Sequence, residues 1–271
     1  MPGELRHTLL LLSLGWHFAL QRLKTDMAYP WDFISESFAN MLYSVIQIFF
    51  FWTLFQHVPD IHGYRLEQIV LIWGFAELSW GWLAVLFLNT SMQLGDFYII
   101  EANLDRVLLR PLPPLWQLLC ENVNFRELSV VLKGYLLVGW AMLQLGMPIT
   151  PVAVLGISLL GLAGGGILGA VHLNMAAIGF WLKDRTGYTG IIVDFGEAVR
   201  YPMSIYPSAV RNFFTFIVPF AYTAAYPADY LIDTARRPGL LIELPIVLAL
   251  LTLAVITVYN AGFRSYESAG T

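Results

Sequence analysis

The sequence predicts an all-α integral membrane protein with six transmembrane helices, and three observations predict it. Of its 271 residues 58% are hydrophobic and only 13% are charged, against about 25% charged in a soluble domain. Apolar runs long enough for the roughly 20 residues of a crossing helix recur from end to end. Short polar or proline-rich stretches separate them and leave no region for a soluble domain, so residues 1–271 read as one membrane domain.

At the N-terminus, Arg6, Ser13, His17, Gln21 and Lys24 share one helical face, with Leu5, Leu12, Trp16, Ala19 and Leu23 broadly opposite. This is the pattern of an amphipathic helix lying in the membrane interface, within residues 1–30. No small-residue cleavage site follows it, which argues against a signal peptide. The first crossing runs from about Asp32 to His57 and the second from about Leu66 to Met92, joined by the polar "VPDIHGYR". Residues 95–119 then form a charged segment. Its helix-compatible part, "DFYIIEANLDRVLLR", sets Glu101 and Asp105 one turn apart, with Arg106 and Arg110 near the end where cations suit the helix dipole. "RPLPP" stops that helix, because proline cannot continue a helix interior.

A third crossing follows from about Glu121 to Leu145 and a fourth from Pro151 to Trp181. An apolar stretch from about Tyr188 carries Asp194, Glu197 and Arg200 along one stripe of a fifth helix, where they line a path or satisfy one another. Pro202, Pro207, Pro219 and Pro227 then bar an uninterrupted crossing. Broken backbone at membrane depth survives only when buried in protein or lining a cavity, so residues 201–235 predict a re-entrant element on the outer side. The sixth crossing spans about Leu240 to Ala261.

With both termini cytoplasmic, Arg6, Arg22, Lys24, Arg106, Arg110, Lys183, Arg185 and Arg264 lie inside, and Arg65, Arg236 and Arg237 outside. The balance favours this orientation. Were residues 209–233 a full crossing instead, there would be seven crossings and the C-terminus would lie outside.

Charges inside crossings are costly and mark function by default. Glu77 and Lys133 fall at similar depth on consecutive helices of opposite direction, so they pair, unless the third crossing begins near Leu128 and Lys133 reaches to the interface. Gly161, Gly165 and Gly169 repeat every fourth residue, the small-residue pattern that lets membrane helices approach closely. The nine tryptophans are interface anchors or walls of an apolar cavity. Cys120 is the sole cysteine, which excludes an intrachain disulfide and any multi-cysteine metal site.

"LDRVLLRPLPPLWQLL", "EAVRYPMSIYP" and "IVPFAYTAAYPADYLI", set in this order of helices, resemble the ABC-2 type exporter permeases. That resemblance implies a type V exporter-like fold in a bacterial cytoplasmic membrane. It also implies a coupling helix at residues 95–119, where Glu101, Asp105, Arg106 and Arg110 meet a separate ATPase subunit; the plainer reading is a loop charged because it is wet. The expected assembly pairs two ATPase copies with a second permease, the same or homologous. None of the three lysines sits in a P-loop, since only Lys24 precedes a threonine and Leu23 stands where glycine is needed. ATP and magnesium would therefore be held by the partner, with no cofactor or metal in this chain.

The expected cargo is amphipathic or lipid-like, and no basic tract points to nucleic acid. Two other readings are a proton-coupled secondary transporter titrating Glu77 or Asp194, and an intramembrane enzyme. The first lacks broken helices in two halves. The second lacks both an H-E-x-x-H site and a G-x-S-x-G site.

Overall fold

A computed structural model of the chain describes residues 13–15, 17–18, 20–24, 30–182, 196 and 200–268. These residues are mostly helical, with one isolated bridge between Ile61 and Tyr64 and no strand among them. Among the described residues four helices have stretches long and apolar enough to cross a membrane: α1 (Pro30–Phe55), α2 (Leu66–Ile100), α6 (Pro151–Leu182) and α9 (Leu240–Ser265). Between α2 and α6 come α3 (Leu104–Leu108), α4 (Pro114–Glu121) and α5 (Leu128–Gln144), whose 17 residues stand at the short end of what spans a bilayer. Ahead of α9 lie α7 (Ser208–Asn212) and α8 (Ala225–Ile232).

The helix starts are written in the sequence. Thr150 accepts the Ala153 N–H at 3.1 Å and Pro151 fills the first turn of α6. Pro114 does the same for α4.

Helix α2 is the centre of the molecule, with 83% of its most apolar stretch buried against 11% for α1 and for α9. Such burial requires neighbours that approach closely, and glycines provide this on two sides. Helix α5 runs antiparallel to α2, with Gly74 facing Val138, Leu78 facing Gly134 and Gly81 facing Val131. A Cβ on any of these three glycines would come within 2.9 Å of the opposite backbone nitrogen. Helix α6 runs parallel to α2 on another side, seating Gly161 on Leu78, Gly165 on Trp82 and Gly169 on Phe87. A Cβ on Gly165 would lie 2.5 Å from the Trp82 Cβ and 3.0 Å from the Ser79 carbonyl oxygen. The backbones meet because no side chain stands between them.

At 1.5 Å per residue, α2 separates its two ends by roughly 50 Å. At its first end, the turn at residues 61–64 is closed by Asp60, which accepts the Gly63 N–H at 2.8 Å, and it presents Tyr64 to Asp229 of α8. At its second end, Asp105 of α3 accepts a hydrogen bond from Ser268 at 2.6 Å, and Trp116 of α4 lies against Gly15 of the N-terminal helical segment. Gly15 and Ser268 thus both lie beside the α3–α4 region. One apolar core fills the Tyr64 end and the middle; a second joins α2, α3, α4, α6 and α9 through Leu94, Leu104, Leu118, Leu173 and Tyr259.

The proline-rich stretch is broken as its sequence requires. Pro202, Pro207 and Pro219 each stand at the N-cap of a short helix or helical turn, and Pro227 lies in the first turn of α8. The turn at Phe220–Thr223 is buried against α2 and α6, where Ser79 donates to the Thr223 carbonyl at 2.7 Å. Ser79 lies roughly 20 Å along α2 from its start. Only six residues later Asp229 is back at Tyr64, so the chain dips along α2 and returns.

Three boundaries differ from the sequence expectation. The second long helix continues past Met92 to Ile100, through π turns at Ala84–Leu88 and Leu94–Ile100. The expected continuous charged helix is cut at Glu101–Asn103, where Ala102 takes φ 57° and Asn103 Nδ2 donates to the Phe97 carbonyl at 2.9 Å. The next long helix starts at Leu128 rather than Glu121, leaving α4 separate. Asn124 turns the chain there, its N–H donating to the Val85 carbonyl in the first π turn at 2.9 Å.

Leucine at Gly134 or Gly165 should force the helices apart, destabilising the fold by about 3 kcal/mol. Gly139→Leu, where nothing lies within 4 Å, should be neutral. Thermal unfolding of the purified variants in detergent compares the three.

Candidate functional site

Glu77 is the most deeply buried ionisable group of α2, with its side chain 2% exposed. Lys133 of α5 places Nζ 2.7 Å from Glu77 Oε2. The other oxygen, Oε1, accepts the Trp73 indole N–H at 3.0 Å and lies 3.3 Å from Arg200 Nη1. Trp73 reaches it from one turn earlier on the same helix, a spacing visible in "WGFAE" that composition alone does not flag. Two cations and an indole therefore converge on one carboxylate from three separate parts of the chain. Asp194 and Glu197, expected on the same stripe as Arg200, lie outside the described residues.

Lys133 also forms part of the wall of a cavity of about 550 Å³ between α1, α2 and α5. Met41, Trp52, Leu132 and Trp140 line it, and Asn40, Ser44 and Ser129 supply its few polar atoms. Lys133 is the only charged residue in the lining among the described residues. The chamber is apolar with one ionic corner, a shape suited to an amphiphile.

Around α3 the four residues expected at an ATPase contact have separate roles. Glu101 is exposed and accepts from Asn103 at 3.4 Å. Asp105 is tied to Ser268. Arg106 donates to Asn103 Oδ1 at 3.0 Å. Arg110 pairs with Glu121 at 2.5 Å and sits over the Phe18 ring at 5.8 Å. The residue that stands out from this face is Leu109, 85% exposed, which charge patterning does not single out.

The second end of α2 is joined to α4 by polar contacts. Thr90 donates to the Leu118 carbonyl at 3.2 Å, and Asn122 donates to the Tyr98 hydroxyl at 2.8 Å.

A third cluster covers the Tyr64 end. The Tyr64 hydroxyl donates to Asp229 at 2.6 Å, and the Arg236 guanidinium lies 5.3 Å above the Tyr64 ring and 3.9 Å from Asp229. Burial pushes both Asp229 and Tyr64 above their ordinary pKa ranges. Arg237 stacks on Tyr226 at 3.5 Å and donates to Glu243 at 2.8 Å, and Tyr222 donates to the same carboxylate at 3.0 Å. Arg236 and Arg237 stood out in the sequence only as exceptions to the charge rule; their partners are 6 to 172 residues away in number, so no local pattern names them.

Glu77→Ala would leave two cations facing a vacated site and should cost about 3–5 kcal/mol. The double variant Glu77→Leu with Lys133→Leu should lose less than Glu77→Ala alone, measured by unfolding in detergent.

A family model described as ABC-2 family transporter protein matches residues 41–270. No curated protein and no solved structure matches the chain.

Proposed function

The chain belongs to the ABC-2 transporter family, and we propose that within it the chain is the membrane-spanning permease subunit of an exporter driven by a separate ATPase. The absent P-loop supports an external source of ATP hydrolysis, with magnesium and nucleotide bound by that partner. The assembly is two permeases, identical or homologous, with two ATPase subunits, in a bacterial cytoplasmic membrane.

The topology proposed is six crossings with both termini cytoplasmic and a re-entrant element on the far side. Its support is the distribution of contacts along α2: Asp105, Ser268 and the N-terminal segment at one end, Tyr64, Asp229 and Arg236 at the other. The dip of residues 220–223 to Ser79 and the return to Tyr64 support re-entry over a full crossing. In this arrangement α3 is the coupling helix and Leu109 its tip. Movement of α3 and α4 reaches α2 through Thr90 and Tyr98, and α2 carries it to Glu77.

The observation that carries the cargo class is the apolar cavity with Lys133 in its wall. It suits an amphipathic or lipid-like molecule whose polar part rests near the Glu77–Lys133 pair. A proton-coupled cycle fits less well, because both Glu77 oxygens are already engaged.

Leu109→Asp should abolish co-purification with the cognate ATPase while leaving the permease folded, since it places a charge on the most exposed apolar residue at the tip. Retention of the ATPase at wild-type stoichiometry argues against α3 as the docking element.

For the topology, Arg236→Cys in a Cys120→Ser background should react with an impermeant maleimide from outside intact cells. Labelling only after permeabilisation would put Arg236 inside and leave seven crossings as the topology.

A further inference from the structure

Where the N-terminal helical segment, α3 and α4 meet, the structure holds a cavity of about 340 Å³. Among the described residues its lining includes three arginines, Arg22, Arg106 and Arg110, and one carboxylate, Glu121. Glu121 is matched within the protein, accepting from Arg110 at 2.5 Å and from Gln117 at 3.0 Å. Arg106 makes its hydrogen bond to a neutral amide, Asn103, and no ion pair among the described residues. Arg106 thus brings to the cavity a positive charge that no carboxylate among the described residues pairs with. Tyr98 adds a hydroxyl that accepts from Asn122 at 2.8 Å, leaving its own hydrogen to donate.

We propose that this cavity binds a phosphate group, and that the group is the headgroup phosphate of an anionic membrane lipid. Guanidinium groups recognise phosphate oxygens with paired N–H donors, a geometry that a lone carboxylate partner does not exhaust. Depth selects the lipid. Helix α4 turns Gln117 and Glu121 to this cavity and Leu115, Trp116 and Leu119 to a second, apolar cavity of about 540 Å³ bounded by α6 and α9. A short helix with a polar flank on one side and an apolar groove on the other lies at the boundary between headgroups and acyl chains. Basic pockets at that level are where anionic headgroups bind. The bound phosphate bridges Arg22 of the N-terminal segment to Arg106 and Arg110, fastening that segment to α3 and α4 and making the position of α3 sensitive to the surrounding lipid.

The full-length chain, without any ATPase, is reconstituted into phosphatidylcholine vesicles containing a minor fraction of phosphatidylglycerol. It is then re-extracted in mild detergent, and the lipid that stays bound is quantified. Phosphatidylglycerol should be enriched over its share of the vesicle. Arg106→Gln should cut the enrichment about fivefold, equivalent to about 1 kcal/mol for one arginine near the surface, and Arg106→Lys should keep most of it. Arg106 is exposed, so neither change disturbs packing. Arg211→Gln, on exposed α7 outside the cavity, should leave the enrichment unchanged.

Inorganic phosphate that fails to displace the lipid supports the headgroup as the source. Displacement by inorganic phosphate that Arg106→Gln weakens supports the phosphate site with a soluble source and overturns the lipid assignment. Absence of enrichment together with absence of any phosphate effect overturns the site itself, and so does an equal loss in Arg211→Gln.

Discussion

Burying the Glu77 carboxylate at the centre of the most enclosed helix constrains much of the rest of this structure. A carboxylate withdrawn from water is tolerated only when other groups replace its hydration. Here they come from α2 itself through Trp73, from α5 through Lys133 and from the stretch entering the proline-rich region through Arg200. One charge thereby fixes the register of three segments that local sequence preference leaves independent. The glycine contacts serve the same arrangement, because Lys133 lies one residue before Gly134 and Glu77 one before Leu78, a pair at which the two backbones approach closely. Close approach and ionic pairing are one device. The short distance lets a lysine on α5 reach the carboxylate without crossing lipid.

The same helix joins the two ends of the molecule. Its first half is held in the larger core with α5, α6 and the buried turn at Phe220–Thr223; its second half enters the smaller core with α3, α4, α6 and α9. The π turns lie in the second half. Each widens the helix locally and releases carbonyls from the regular ladder, and the Val85 carbonyl uses that freedom to hold Asn124 ahead of α5. A helix that is regular where it lies against α5 and irregular where it meets α4 has a stiff half and an adjustable half. Tyr98 and Thr90 tie the irregular half to α4 by hydrogen bonds, and the regular half holds Glu77.

Much of this was legible in the sequence, and the legible parts share a cause. Long apolar runs, the proline stops and the Gly161, Gly165, Gly169 stripe are local patterns, and the structure presents the stripe to α2. The Glu77–Lys133 pair was legible because helix rise and direction fix depth, and the structure brings those two residues together. Its start at Leu128 is the condition under which Lys133 was expected to reach for the interface, yet the lysine turns inward, since a buried carboxylate is the stronger attraction. What the sequence did not disclose depends on distant partners. Gly74 and Gly81 on α2 form no four-residue repeat and are recognisable as contact points only once α5 is laid against them. Asp229 reads as an ordinary turn residue until Tyr64, far away in number, is brought to it.

The proline-rich element shows why a segment that looks unsuited to a membrane protein is compatible with one. Four prolines remove four N–H donors and interrupt the helix at Val218–Ala224, where the backbone leaves regular geometry. In lipid each exposed carbonyl there would cost several kcal/mol. The structure answers by burying that turn in protein: Ser79 satisfies the Thr223 carbonyl, the Thr223 hydroxyl donates to the Phe220 carbonyl at 2.7 Å, and α6 carries Gly164 beside Ser79 Oγ and the Thr223 oxygen. A side chain at Gly164 would occupy the space through which the backbone is satisfied. The prolines, the serine on α2 and the glycine on α6 therefore form a single solution distributed over three segments, in which the break is permitted by what surrounds it.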